Sequence, residues 1–228
     1  MEVWEYQIAL ANKFIETFEQ TGTEVYEEGM DKFNKGNWVN RVWTSESYRR
    51  AHVDIVDARD EKGLWMMHVC IFPHLDSDAP IFGYDAVAGR GKLTGAFHDF
   101  SATVNPEHEM IASFAREVAP LEWKRERELP PWGKAIFTDN MLAAGNVRTE
   151  AELTQLNDIV ESNLEYFISN VGNYSKHANV VLGTKAQNRY AYYQKQNPHT
   201  PRVMKSIGLD PDDVEDFIQN HLFPDLMT

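Results

Sequence analysis

Along the chain, the spacing of hydrophobic and polar positions changes twice. Over the first twenty residues, Val3, Ile8, Ala11, Phe14, Ile15 and Phe18 recur at helical spacing and predict an amphipathic helix. From there to about residue 100 the apolar residues gather in short runs, which predict strands at about 39–43, 51–58, 64–72, 83–88 and 93–100. Pro73-His-Leu-Asp-Ser-Asp-Ala-Pro80 interrupts these runs once, and Gly89-Arg-Gly-Lys92 makes a short turn. Links this short favour antiparallel pairing, because a parallel crossover takes a dozen residues or more. The second half returns to a helical period. Residues 107–119 form one amphipathic run, and Thr149-Glu-Ala-Glu152 is a capping-box signature. It opens a long helix to about Asn170, with Leu153, Leu156, Ile159, Val160, Leu164 and Phe167 on the apolar stripe. Thr184 reads as the start of another helix, Asn197-Pro198 as its end and Pro211 as the start of the last one. Strands in the middle with helices before and after predict a single α/β domain over residues 1–228, a three-layer α/β/α sandwich with a central antiparallel sheet.

Composition narrows the class. A chain of 228 residues is long enough for one core, and its 12 Phe, 9 Tyr and 6 Trp provide flat side chains suited to a large planar ligand. No apolar run approaches the roughly 20 residues a membrane span needs, and the opening Met1-Glu2-Val3-Trp4-Glu5-Tyr6 lacks a basic leader, so a soluble cytoplasmic protein is expected. The single cysteine, Cys70, excludes an internal disulfide or a cysteine-built metal cluster. The net charge of −13 is unevenly spread: residues 166–209 carry no acid and six bases (Lys176, Lys185, Arg189, Lys195, Arg202, Lys205), and residues 210–228 carry six acids and no base. Such a stretch makes a local positive field for an anionic ligand or protein, or is an ordinary solvated face. Acidity elsewhere argues against nucleic acid as a partner, since that binding runs on Lys and Arg against phosphate.

Candidate chemistry lies in the strands. His68 sits in the run Leu64–Ile71, and Asp85 follows the apolar Pro80-Ile-Phe-Gly-Tyr84; burying charged groups costs several kcal/mol unless they are partnered. One strand upstream, alternation puts His52 and Asp54 on one face and Val53 and Ile55 on the other, while His68 shares its face with Leu64, Met66 and Cys70. If these strands form a meander, one sheet face gathers His52, Asp54, His68 and Asp85 into a pocket of titratable groups. A single strand histidine is more often a hydrogen-bonded core residue. His52, Asp54 and His68 could also supply the facial set of a non-haem iron site. The glycines at 89–95 lack phosphate-loop spacing, His108-Glu109 lacks the second histidine of a metalloprotease helix, and no Gly-x-Ser-x-Gly elbow occurs.

Three ordered motifs then resemble one family: His68-Val-Cys-Ile-Phe-Pro73, Pro80-Ile-Phe-Gly-Tyr-Asp-Ala-Val-Ala-Gly89 and Arg127-Glu-Leu-Pro-Pro-Trp-Gly133. Together they resemble the ferredoxin-dependent bilin reductases, nearest the phycocyanobilin-forming branch, over a stretch from Arg49 to Met204. The resemblance implies the same sandwich fold, with the bilin between the sheet and the C-terminal helices. It implies biliverdin IXα as substrate, reduced ferredoxin as external electron donor, radical intermediates and no bound flavin or metal. Biliverdin and ferredoxin are then the expected partners of a monomer, with no membrane. Asp85 matches the family's proton-delivering aspartate, His68 its catalytic histidine and His52 the histidine that orients it. Asn197, His199 and Arg202 are carried over as substrate contacts. Two departures bear on the product. Asp54 stands where the phycocyanobilin-forming enzymes have glutamate, and Pro198 stands where many relatives have a second aspartate. The shorter acid favours phycoerythrobilin, formed via 15,16-dihydrobiliverdin; phycocyanobilin is the alternative. A non-catalytic bilin carrier is the alternative of another class.

Overall fold

A computed structural model describes residues 2–89, 91–122, 128–173 and 179–227. Among them, strands β1 (Thr23–Val25), β2 (Trp38–Thr44), β3 (Tyr48–Ala58), β4 (Leu64–Pro73), β5 (Ile81–Gly89), β6 (Lys92–Ser101) and β7 (Leu142–Ala144) pair in chain order, each antiparallel to its neighbour. The long strands lie where the sequence places them. The three-residue edge strands β1 and β7 are too short to show an alternation and are found only through their pairing to β2 and β6.

Helices cover both faces. Against one face lie α1 (Val3–Thr21), α3 (Glu109–Val118) and α5 (Glu150–Asn170), burying Phe14, Phe18, Phe114, Leu156 and Phe167 with Trp43, Val69, Phe82 and Phe100 of the sheet. The predicted capping box forms: the Thr149 hydroxyl accepts from the Glu152 amide at 3.2 Å, and the Glu152 carboxylate returns a bond to the Thr149 amide. The single turn α2 (Arg59–Lys62) closes the β3–β4 hairpin. On the opposite face lie α4 (Pro131–Lys134), α6 (Val180–Gln194), α7 (His199–Ser206), α8 (Pro211–Asp216) and a π-helical turn, Phe217–Leu222. Because both faces are covered, β4 is buried continuously from Met67 to Pro73 instead of alternating. The result is the predicted three-layer sandwich around an antiparallel sheet.

The elements over the second face differ from the sequence reading. Helix α6 begins at Val180, four residues before Thr184, whose hydroxyl bonds back to the Val180 carbonyl at 3.0 Å inside the helix. It ends at Gln194, before Asn197-Pro198, which lead into α7. Pro211 does open α8, with Asp210 as its cap, but the chain then widens into the π-helical turn, which no propensity announces. A close approach holds α6 down. A Cβ on Gly183 would stand only 2.0 Å from the Leu75 carbonyl oxygen, so glycine lets helix and β4–β5 loop meet backbone to backbone. Gln187 continues the clamp, donating to the Pro73 carbonyl at 2.8 Å and accepting two bonds from the Arg49 guanidinium.

Candidate active site

Register brings the candidate residues together. Asn40, Asp54, His68, Asp85 and Phe97 are direct cross-strand partners on β2 to β6. Two residues along, on the same face, Val42, His52, Cys70, Gly83 and Asp99 form the next row. Directly opposed side chains on adjacent strands are about 5 Å apart at Cβ, so Asp54, His68 and Asp85 form one contiguous group.

Each member is set by its neighbours. Asp54, 2% exposed, accepts a bond from the Trp38 indole N–H. Burial pushes its carboxyl up to about 7, the indole bond opposes this and the charge of Asp85 adds to it. Burial also raises Asp85 to about 7. Both acids therefore exchange a proton near neutrality, the condition under which a carboxyl is an effective general acid. His68 is driven down to about 3 by burial and then by the positive Arg50, so its ring is neutral at rest. His52, fully buried, is pushed well down by the same causes. Its Nε2 faces the Asn40 Oδ1 at 3.0 Å, and the Asn40 amide nitrogen donates to the Phe33 carbonyl at 2.8 Å. That fixes the amide orientation, so His52 carries its proton on Nε2 and leaves Nδ1 as an acceptor. Cys70 is buried in the next row with its thiol raised to about 12 by burial, which makes it an inert filler. Among the described residues, no group of three or more His, Cys, Asp or Glu is placed to hold a metal ion, so the facial iron set does not form.

The cover comes from the C-terminal half. His68, Gly83, Asp85 and Asp99 line a small cavity of about 10 Å3, room for roughly one water molecule, that is roofed by Phe137, Met141, Tyr190 and Gln194. Gln194 donates to the Tyr190 hydroxyl at 2.7 Å, and the Phe223 ring stands edge-on to His68 with centroids 5.3 Å apart. Asp99 ties down the roof: it accepts from the Thr138 hydroxyl, the Thr138 amide at 3.1 Å and the Ser101 hydroxyl at 2.7 Å. The space is smaller than the roughly 300–1,000 Å3 of ligand pockets, so a large ligand enters only if this roof moves.

Trp38, Asn40, Asp99, Tyr190, Gln194 and Phe223 were not singled out by sequence. Trp38 and Asn40 had a usable signal, since they alternate along a strand that pairs with His52 and Asp54; the roof residues look like ordinary helix core. Asn197, His199 and Arg202 are not brought to the cavity. Asn197 accepts from the His199 amide at 3.0 Å at the start of α7, and His199 and Arg202 are exposed. Of the acid-free stretch, Lys185, Arg189, Arg202 and Lys205 are exposed, whereas Lys195 is 10% exposed and bonded to Asp225 at 2.9 Å, so one C-terminal acid answers one of these bases. Lys176 and Arg127 lie outside the described residues.

Known proteins resemble this chain in sequence and fold. The ferredoxin-dependent bilin reductase family matches residues 6–224. A phycocyanobilin:ferredoxin oxidoreductase from Synechococcus sp. (strain CC9605) is 29% identical, over 73% of this chain and 68% of that protein. The solved structure of PcyX is 34% identical and covers 97% of this chain and 99% of its own, with a TM-score of 0.75. Tomato phytochromobilin synthase in complex with biliverdin shares the fold with a TM-score of 0.76 at 15% identity, over 96% and 82% of the two chains. The chain belongs to the ferredoxin-dependent bilin reductases.

Proposed function

We propose that this chain reduces biliverdin IXα to phycoerythrobilin, via 15,16-dihydrobiliverdin, with single electrons from ferredoxin. The reading is carried by the register row Asp54–His68–Asp85, two acids poised near 7 on either side of a neutral histidine under an aromatic roof. Each two-electron step adds two protons to the bilin. Ferredoxin supplies electrons only, so the protein delivers the protons and holds the radical between transfers. Asp85 gives its carboxylic proton to the lactam and pyrrole region and becomes a carboxylate; His68 holds or passes a proton beside it, and His52 orients the row. Asp54 is one methylene shorter than glutamate, roughly 1.5 Å less reach, and proton transfer requires hydrogen-bond distance. That shortfall disfavours protonating the D-ring vinyl group and leaves it intact. The alternative product, phycocyanobilin, is favoured by the names of the curated relatives. A carrier would have no use for two acids held near neutrality.

Binding requires the roof to lift at Tyr190, Gln194 and Phe223. Asn197, His199 and Arg202 on the neighbouring turn then become available to the bilin propionates. An anaerobic assay with reduced ferredoxin, followed by chromatography against bilin standards, tests this reading. Loss of biliverdin absorption with phycoerythrobilin as product supports it, phycocyanobilin overturns the product assignment and intact biliverdin overturns the enzyme.

A further inference from the structure

Every turnover leaves the site short of protons, yet His52, Asp54 and His68 are buried and Asp85 only part-exposed. Restoring them takes a path from solvent, and one region of the structure has the parts for it. Among the buried nitrogens that have no hydrogen-bond partner among the described residues are Nδ1 of His52, Nδ1 of His68, Nδ1 of His221 and Nη1 of Arg50. Buried polar atoms are almost always satisfied, and internal water meets those that protein does not. These four belong to one neighbourhood. Arg50 lies two residues before His52 on the same strand and donates from Nη2 to the His221 carbonyl at 2.7 Å. The Phe33 ring stands 5.1 Å from the His221 ring, while the Phe33 carbonyl holds the Asn40 that holds His52. The charges of His68 and His221 both act on His52.

His221 is the member of this neighbourhood set beside exposed charged side chains, Lys32 and Asp216. It sits in the π-helical turn, the kind of helix irregularity that concentrates at functional sites. Its ring, 6% exposed, is seated against Gly29, whose φ of +85° and missing Cβ make room; a Cβ there would come within 3.2 Å of His221 Cε1. The groups acting on it come from every side: Glu27 before the turn Met30–Phe33, Lys32 within it, Arg50 on β3 and Asp216 at the end of α8. At the other end, the His68 ring lines the cavity beside Asp85.

We propose that His221 is a proton-relay residue: it takes protons from solvent and passes them, over internal water held by Arg50 and His52, to His68 and so to the cavity. The balance is simple. A hydronium ion protonates one ring nitrogen, the opposite nitrogen releases its proton inward, and the tautomer resets; no electron moves. His221 touches no bilin in this account and acts through His68. The proposal rests on the reductase reading above.

His221→Phe keeps the ring packing on Phe33 and Phe217 and removes both nitrogens; His221→Ala opens room for added imidazole. Both are loaded with biliverdin and mixed anaerobically with excess reduced ferredoxin, and the radical is followed by its absorption and spin signal. Radical formation should match wild type, since electrons do not use this path. Radical decay should slow by about a hundredfold, the lower end of what losing a positioned proton-transfer group costs, and recover as pH falls. Imidazole should restore the alanine variant. Decay at the wild-type rate in the phenylalanine variant would overturn the relay, as would slow decay that neither acid nor imidazole relieves, which marks a packing role. Wild-type protein that forms no radical at all would instead refute the reductase reading.

Discussion

Burial holds the Asp85 carboxyl at about 7, against 3.8 for the free side chain, so its proton is bound more tightly in the folded chain than in the unfolded one. Between about pH 4 and 7 the native state therefore holds the extra proton, and stability is greatest below this window and is lost as pH rises through it. Each pKa unit is worth about 1.4 kcal/mol, so the shift costs up to roughly 4 kcal/mol at alkaline pH, shared with the neighbouring Asp54. Asp85→Asn removes that cost along with the proton. Thermal unfolding should show the variant gaining on wild type between pH 5 and pH 8, while biliverdin still binds and turnover stops. Equal pH dependence of the two would mean that Asp85 is ionised in the folded chain. Asp54→Glu tests reach at the same row. It restores the longer acid, and chromatography should reveal D-ring-reduced bilins among its products. A variant that still makes only phycoerythrobilin would move the cause from the length of this acid to the pose of the bilin.

Among the elements, α6 decides how the roof is hung. Its N-terminal half is fixed through Gly183 on Leu75 and Gln187 on Pro73, and its C-terminal half carries Tyr190 and Gln194 over the cavity. Gly183→Ala drives a methyl group into a backbone oxygen that cannot yield, so the helix must lift. Overpacking of this kind costs about 1–3 kcal/mol. Denaturant unfolding should show that loss, and biliverdin affinity should change with it; an unchanged midpoint would mean that the helix is not seated as described. The sheet was legible because strand periodicity and short links specify antiparallel neighbours, and register then follows from keeping the apolar sets in place. The four polar residues at 52, 54, 68 and 85 stood out because they break apolar runs. The roof was not legible. Tyr190, Phe223 and His221 sit at ordinary helical spacing, and their position depends on one close glycine contact and on a π-helical turn, which are tertiary features without a local signature.

Across the whole molecule, charge is unevenly spread. Lys185 and Lys205 stand exposed on the helical side that roofs the site, in a stretch without a single acid, within a chain of net charge −13. If ferredoxin docks here, Lys185→Glu with Lys205→Glu should raise its apparent KM several-fold at low salt. Exposed charges are screened over about 10 Å at 0.1 M salt, so the difference should shrink as salt rises. Steady-state rates that ignore both reversals would make this face ordinary surface. Lys195 is the wrong probe, since its ion pair with Asp225 holds the C-terminal tail.

One experiment reaches the central claim, that two acids beside a buried histidine deliver protons to a bilin reduced by ferredoxin. Wild type and Asp85→Asn are loaded with biliverdin IXα and given reduced ferredoxin without oxygen, while absorption and the radical's spin signal are recorded together. The account predicts that wild type passes through a transient radical to reduced bilin, and that the variant accepts an electron and stops there. Biliverdin left unreduced by wild type, or product formed equally well by the variant, would contradict it.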